Sequence, residues 1–184
     1  KRLRERVSAV DPWHPTVTLT NRTDYFTACA ATGDILSYDY YPINTVRDQS
    51  FQYEGIESAG NLGIPHWFTP QAFHWGAARR HHPFHTYRYP SEEEMRSLNL
   101  AAAIYNAKGF LFYSYADVRL QEEKLDSANG KMFWNSVRGV SSLLRELEPW
   151  IMSVEKAPET AVVPKHAGKA KVIARAFSSD GKTA

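Results

Sequence analysis

Apolar positions follow two periods along the chain, and the changes of period mark its elements. Leu3, Val7 and Val10 recur at helical spacing among charged neighbours, so residues 1–10 read as a helix with one thin apolar stripe. Asp11-Pro12 ends it, because a residue before proline avoids the helical region. Residues 16–20, short and β-branched, predict a strand. Residues 24–31 predict a short helix that turns Tyr25, Phe26 and Cys29 toward the core. A second strand is expected over 34–41, stopped by Pro42, and a helix over 46–62, ending near Gly63. Residues 65–69 predict a third strand running into 70–76, before a loop rich in His, Arg, Tyr and Pro reaches Pro90.

Ser91-Glu92-Glu93-Glu94 reads as a capping box, with Met95, Leu98, Ala102 and Tyr105 continuing at helical spacing. A fourth strand is expected over 109–115 and a charged loop over 117–130. Residues 131–148 form an amphipathic helix, with Trp134, Val137, Val140, Leu144 and Leu147 on one stripe, broken by Pro149. From residue 157 the character changes: 157–171 reads as a linker, 171–177 as a strand and 178–181 as a hairpin turn. The three residues after Gly181 leave no room for a return strand in this reading.

Strands alternating with helices imply a parallel sheet with helices packed outside it. The expected class is α/β. Four strand–helix units fill 1–156, whereas a complete eightfold barrel takes roughly 250 residues. Both ends read as cut within elements. Two architectures follow: a small open α/β domain, or the C-terminal half of a (β/α)8 barrel followed at 157–184 by a linker and the first strand of a β domain.

Composition narrows the function. The 184 residues carry 22 basic and 20 acidic groups, a net charge of +2, too balanced for a dedicated nucleic-acid or membrane-surface binder. One cysteine, Cys29, excludes an internal disulfide and a Cys-based zinc site, and reads as a buried structural thiol. No apolar run approaches the roughly 20 residues needed to span a bilayer, and none follows the N-terminus as a signal peptide would. The compartment stays open. Aromatic residues reach 13%, many beside Asp, Gln, His and Asn, a mixture that suits polar, ring-shaped ligands as well as a core.

Parallel sheets build their sites at the carboxyl ends of the strands. Those ends hold Asn21, then Asp39 and Tyr41, then Gln71 with His74 and Trp75, then Tyr113, Tyr115 and Asp117. Aromatic faces stack on the C–H patches of sugars while carboxylates and amides hold hydroxyls. Asp39, late in an apolar strand and flanked by tyrosines, is the candidate catalytic carboxylate; the other eight residues are candidate substrate contacts. The competing reading makes Asp39 a structural acid beside Pro42. Glycoside hydrolysis normally needs two carboxylates, and Gln71 stands where a second is wanted. The cluster His74, His81, His82 and His85 lacks a completing acid, and Pro83 denies His81 and His85 the helix their spacing needs, so no metal and no cofactor are expected.

The motifs also resemble a known family. Asp11-Pro12-Trp13-His14-Pro15-Thr16 looks like the step from the fourth helix into the fifth strand of glycoside hydrolase β/α barrels. Asp34-Ile35-Leu36-Ser37-Tyr38-Asp39-Tyr40-Tyr41-Pro42-Ile43 is similar to their sixth strand. Pro65–Phe73 and Ala107–Tyr115 resemble the seventh and eighth, Leu143–Pro149 the closing helix, and the tail an appended β-sandwich. The resemblance covers about residues 1–150. It implies a carbohydrate-active enzyme acting on glycosidic bonds, of which this chain holds strands five to eight, in an extracellular or periplasmic setting. Its partners would be a carbohydrate and either the missing N-terminal half or a second copy of the chain. One departure stands out: the retaining clan ends strand seven in a nucleophilic Glu, where this chain has Gln71. Its two-Glu mechanism therefore does not carry over, which leaves a non-catalytic carbohydrate-binding protein as the alternative.

Overall fold

The computed structural model describes residues 2–45, 49–78, 88–124, 127–162 and 172–184. Helix α1 (Arg2–Val10) precedes strand β1 (Val17–Thr20). A 3-10 turn (Thr23–Tyr25) and α2 (Phe26–Ala30) lead to β2 (Ile35–Asp39). Then come α3 (Ser50–Asn61), β3 (His66–Thr69), the single turn α4 (Trp75–Ala78), α5 (Glu92–Ile104) and β4 (Gly109–Phe110). Helices α6 (Tyr115–Lys124), α7 (Ser127–Glu146) and α8 (Glu148–Ile151) follow, and β5 (Ser178–Ser179) and β6 (Lys182–Thr183) close the chain.

The four expected strands form one parallel sheet in the order β1-β2-β3-β4. Each strand pairs with its successor in sequence, and parallel crossovers are right-handed, so successive helices fall on the same face. Leu36, Tyr38 and Phe68 point to that face and are buried with Phe26 of α2, Ile56 and Ala59 of α3, and Leu98 and Ala102 of α5. Each buried Leu, Ile or Phe among them contributes about 1.5–3 kcal/mol by leaving water. A second cluster joins Met95 and Ala103 to Phe133, Val137, Val140 and Leu144 of α7. The opposite face begins one residue out of step. Val17 and Leu19 lie in register with Ile35 and Ser37, and Ser37 and Asp39 with Trp67 and Thr69. The Ser37 and Thr69 hydroxyls meet there at 3.0 Å. Val17, Leu19, Leu111 and Tyr113 are exposed.

Several expectations need correction. Tyr25 is 48% exposed and takes the Arg22 guanidinium over its ring at 4.3 Å, whereas Phe26 is buried and Cys29, half-buried, packs against the core as expected. Helix α3 starts at Ser50; residues 46–48 lie outside the described residues. Its end is as expected, with Gly63 at φ +66°, a left-handed conformation that suits glycine after a helix. The expected fourth strand is named only at Gly109–Phe110, although backbone pairing goes on: Leu111 donates to Phe68 O, and Tyr113 to Pro70 O.

The expected charged loop is mostly helix. Residues 115–124 are strong helix formers with little apolar periodicity, and propensity there outweighs pattern. Helix α7 starts at Ser127 and ends at Glu146; Pro149 then sits in the first turn of α8, where a missing N–H is harmless. Finally, the hairpin has both arms. Asp180 (φ +53°) and Gly181 (φ +70°) make a two-residue turn, so β6 fits within the last residues, and Phe177 and Ala184 exchange backbone hydrogen bonds at 2.9 Å. The expected strand 172–177 is not one. Glu155 accepts from the N–H of Asp180 at 2.8 Å and Gly181 at 3.3 Å, holding the hairpin beside α8.

Candidate functional site at the strand ends

Asp39 ends β2, Tyr40 and Tyr41 follow it, and the chain turns over Pro42–Thr45, where Thr45 N donates to Pro42 O at 3.1 Å. The turn brings Tyr41 beside Tyr113, stacked with centroids 5.5 Å apart, and edge-on to Phe73 at 5.3 Å. Phe73 also packs edge-on against Trp75 at 4.9 Å and against Tyr113 at 5.9 Å. The carboxyl ends of β2, β3 and β4 are thus joined by one aromatic group of Tyr41, Phe73, Trp75 and Tyr113. Tyr113 is 49% exposed, so this group has a solvent-facing ring.

Asp39 lies against that group. Burial pushes its carboxyl above the ordinary carboxylate range, and the Tyr41 hydroxyl acts in the opposite sense by hydrogen bonding to the charged form. Its Oδ1 is inaccessible to solvent and has no hydrogen-bond partner among the described residues. Tyr41 in turn is pushed far up, first by burial, then by the charge of Asp39 and by Tyr113 and Asp117. The phenol therefore stays protonated.

Gln71 is placed differently from its expected role. It is buried, and its amide is committed to the backbone. Oε1 accepts from Ile43 N at 3.0 Å, while Nε2 donates to Phe73 O at 3.1 Å and Ile43 O at 3.3 Å. This ties the turn after β2 to the turn after β3 beneath the aromatic group, and no ligand hydroxyl is needed to satisfy it.

Asp117 lies in the first turn of α6, capped by Ser114. Ser114 Oγ accepts from Asp117 N at 3.2 Å and donates to the Asp117 carboxylate, and Val118 N bonds Ser114 O at 3.2 Å, which puts Ser114 at the start of α6. It differs from the capping box at Ser91 and Glu94, where the carboxylate accepts from the serine's backbone N–H; here the carboxylate accepts from the serine hydroxyl. Tyr115 leaves the group altogether and rests on Trp134 of α7 at 5.1 Å. His74 turns the other way as well. It is buried, accepts from Gly76 N at 3.1 Å through Nδ1, and meets the Tyr89 ring edge-on at 4.7 Å. It lines a separate cavity of about 630 Å³ with Arg88, Tyr89, Asn129, Phe133 and Ser136. Asn21 stays exposed beyond the end of β1.

The structure thus gathers Asp39, Tyr41, Trp75 and Tyr113, braces them with buried Gln71, which pairs with Tyr113 and bonds Phe73 O, and brings Asp117 near enough to act on Tyr41, while His74 and Tyr115 pack elsewhere and Asn21 is exposed. Phe73, which links the others, is missing from the expected set. It lies on the alternation Thr69, Gln71, Phe73 beyond β3, and that period of two is the signal that finds it. His81, His82 and His85 lie outside the described residues, and no group of three or more His, Cys, Asp or Glu able to hold a metal occurs among the described ones. No described helix is long and apolar enough to cross a membrane. No family model matches this chain, and comparison with curated proteins and with solved structures finds no match.

Proposed function

We propose that the chain is the half of a glycoside-hydrolase-like (β/α)8 barrel that carries strands five to eight, acting on glycosidic bonds of poly- or oligosaccharides. The observation that carries this reading is the joining of Asp39 to an aromatic group at the carboxyl ends of a sheet wound in one direction. A sequential parallel order keeps the helices on one face and leaves the other for a barrel interior. Parallel sheets are ordinarily covered on both faces, and exposed Val17, Leu19 and Leu111 on the second face support a further layer of strands there. The tyrosine and tryptophan rings supply stacking surfaces for sugar rings, and Asp39 supplies the carboxyl. The carbohydrate is the substrate; the remaining strands come from an N-terminal half or a second copy.

A non-catalytic carbohydrate-binding role is favoured by one observation. Gln71 is committed to the backbone and the Asp117 carboxylate takes the Ser114 hydroxyl, so among the described residues Asp39 is the carboxyl against this group that keeps an unpartnered oxygen. The test is Asp39→Asn in the protein that contains this chain, with hydrolysis of aryl glycosides and retardation in glycan-containing gels read together. Loss of turnover with binding retained is expected. Binding without turnover in the unaltered protein would favour the non-catalytic reading, and neither activity in the unaltered protein would end both.

A further inference from the structure

We infer that the cavity beside His74 is a second binding site, built for a neutral ligand that carries an aromatic ring. It is separate from the strand-end group and independent of the carbohydrate reading. Its volume of about 630 Å³ lies within the range that holds a small organic molecule. One wall is the segment that leads into α5, and the other is the first half of α7. Phe73 and Trp75 belong to the strand-end group, so His74 stands between the two sites.

The walls are fixed by bonds that need no occupant. Arg88 grips the Glu94 carboxylate at 2.6 and 2.7 Å, and its backbone N–H donates to Asn44 Oδ1 at 2.6 Å. Ser91 opens α5 in a complete capping box. Tyr89 stacks on Phe133 of α7, with centroids 4.4 Å apart and planes 10° apart, and His74 meets Tyr89 edge-on. A preformed site spares a ligand the ordering cost that otherwise offsets binding.

The lining sets the class of ligand. Its charged groups among the described residues are Arg88 and Glu92, one of each sign, and both are already paired: Arg88 with Glu94, and Glu92 with Arg96 at 3.8 Å. His74 accepts from Gly76 N through Nδ1 at 3.1 Å, so its ring is neutral. A charged ligand would leave water without meeting a counter-charge that is not already taken. Asn135 and Ser136 supply amide and hydroxyl groups, and Met132 a polarizable sulfur suited to aromatic contact. The Tyr89–Phe133 stack spends one face of each ring internally. Ring edges carry the positive part of the quadrupole and meet the face of another aromatic ring, a face that a sugar does not have.

The experiment is a 13C-methyl NMR titration of the 184-residue chain, whose three methionines are natural probes. Met132 lines the cavity, Met95 is buried in the core and Met152 lies just past α8; Met132→Leu assigns the cavity signal. Phenol and indole are titrated at neutral pH beside benzoate, benzylamine and a methyl glucoside. The neutral rings should shift the Met132 methyl saturably, leave Met95 and Met152 in place, and bind about tenfold tighter than the other three. Ser136→Phe should fill the cavity and abolish the shift, and Asn135→Phe, at an exposed position of the same wall, serves where the first variant does not fold. The proposal is overturned by a Met132 methyl that does not saturate, by equal shifts at all three methyls, or by charged or sugar probes that bind as tightly as the neutral rings. Unchanged binding in a folded filling variant overturns it as well. None of these readings involves turnover or the strand-end residues, so the carbohydrate reading stands or falls separately.

Discussion

Gln71 holds the backbone of Ile43 from both sides, accepting from its N–H at 3.0 Å and donating to its carbonyl at 3.3 Å. With the further bond to Phe73 O, one buried amide fixes the turns that present Tyr41 and Phe73 to each other. An acid at this position cannot do the same work. Gln71→Glu loses the two donated bonds and places a carboxylate against two carbonyl oxygens. We expect it to destabilise the fold by about 3 kcal/mol, measured by urea unfolding, and to confer no hydrolytic activity. A stable Gln71→Glu variant that hydrolyses glycosides would show that the amide replaces a reacting acid instead of bracing two turns.

Helix α3 approaches β2 closely enough that one position admits only glycine. A Cβ at Gly55 would lie 2.2 Å from the ring of Tyr38, which is buried and donates its hydroxyl to Phe51 O at 3.3 Å. Gly55→Ala must push the ring or the helix away and should cost about 1–3 kcal/mol. Gly139 in α7 is the opposite case, with open space where a Cβ would be. Gly139→Ala should stabilise by about 0.5–1 kcal/mol through the unfolded chain and helix propensity. Thermal unfolding of the two variants beside the parent protein checks both signs.

The parts of the fold legible in the sequence were those with strong local signals. The four strands, the cap at Ser91 and the stripe of α7 follow from period, β-branching and capping chemistry. What the residues alone did not disclose was where side chains are spent. Gln71 and Asp117 have the composition of ligand contacts, and only the positions of Ile43 and Ser114 show that the Gln71 amide bonds the backbone and the Asp117 carboxylate takes the Ser114 hydroxyl. Tyr115, the last residue of the expected strand, instead begins α6, which carries it onto Trp134. Asp39 and Tyr41 were legible because both sit where β2 gives way to its turn, a place that follows from strand length and Pro42 together.

The two capped helices should answer alike to loss of their caps. Ser91 and Glu94 satisfy each other's backbone N–H, at 3.2 Å and 2.7 Å, and Arg88 holds Glu94 with two bonds at 2.6 and 2.7 Å. At α6 only half of this is present: Ser114 Oγ accepts from Asp117 N at 3.2 Å and donates to the Asp117 carboxylate. Ser91→Ala and Ser114→Ala should each cost about 1 kcal/mol. Asp117→Ala should lower stability by a similar amount and leave glycan binding proportional to the folded fraction. Hydrogen exchange should show the loss first in the opening turn of the affected helix. A selective loss of binding at full stability would return Asp117 to the site.

Stability should depend on pH through two buried groups with opposite slopes. Asp39 is raised by burial, so between its unfolded and folded values the native chain holds a proton that the unfolded chain has released. Stability therefore falls as pH rises through that window and is flat above it. Asp39→Asn removes the charge and should stabilise the chain at neutral pH by about 0.5–1 kcal/mol, a figure kept small because the carboxyl is partly solvent-exposed. His66 is lowered, first by burial and also by the charge of Lys108, and its Nε2 is buried with no hydrogen-bond partner among the described residues. Here the unfolded chain takes up the proton first, so stability falls as pH drops below the ordinary imidazole value and levels off once native His66 is also protonated. Denaturant midpoints at a series of pH values, in the parent, Asp39→Asn and His66→Gln proteins, separate the two. Asp39→Asn should remove the downward slope that begins just above the ordinary carboxylate value and leave the imidazole slope intact. An unchanged profile in Asp39→Asn would mean that Asp39 ionises as freely in the folded chain as in the unfolded one.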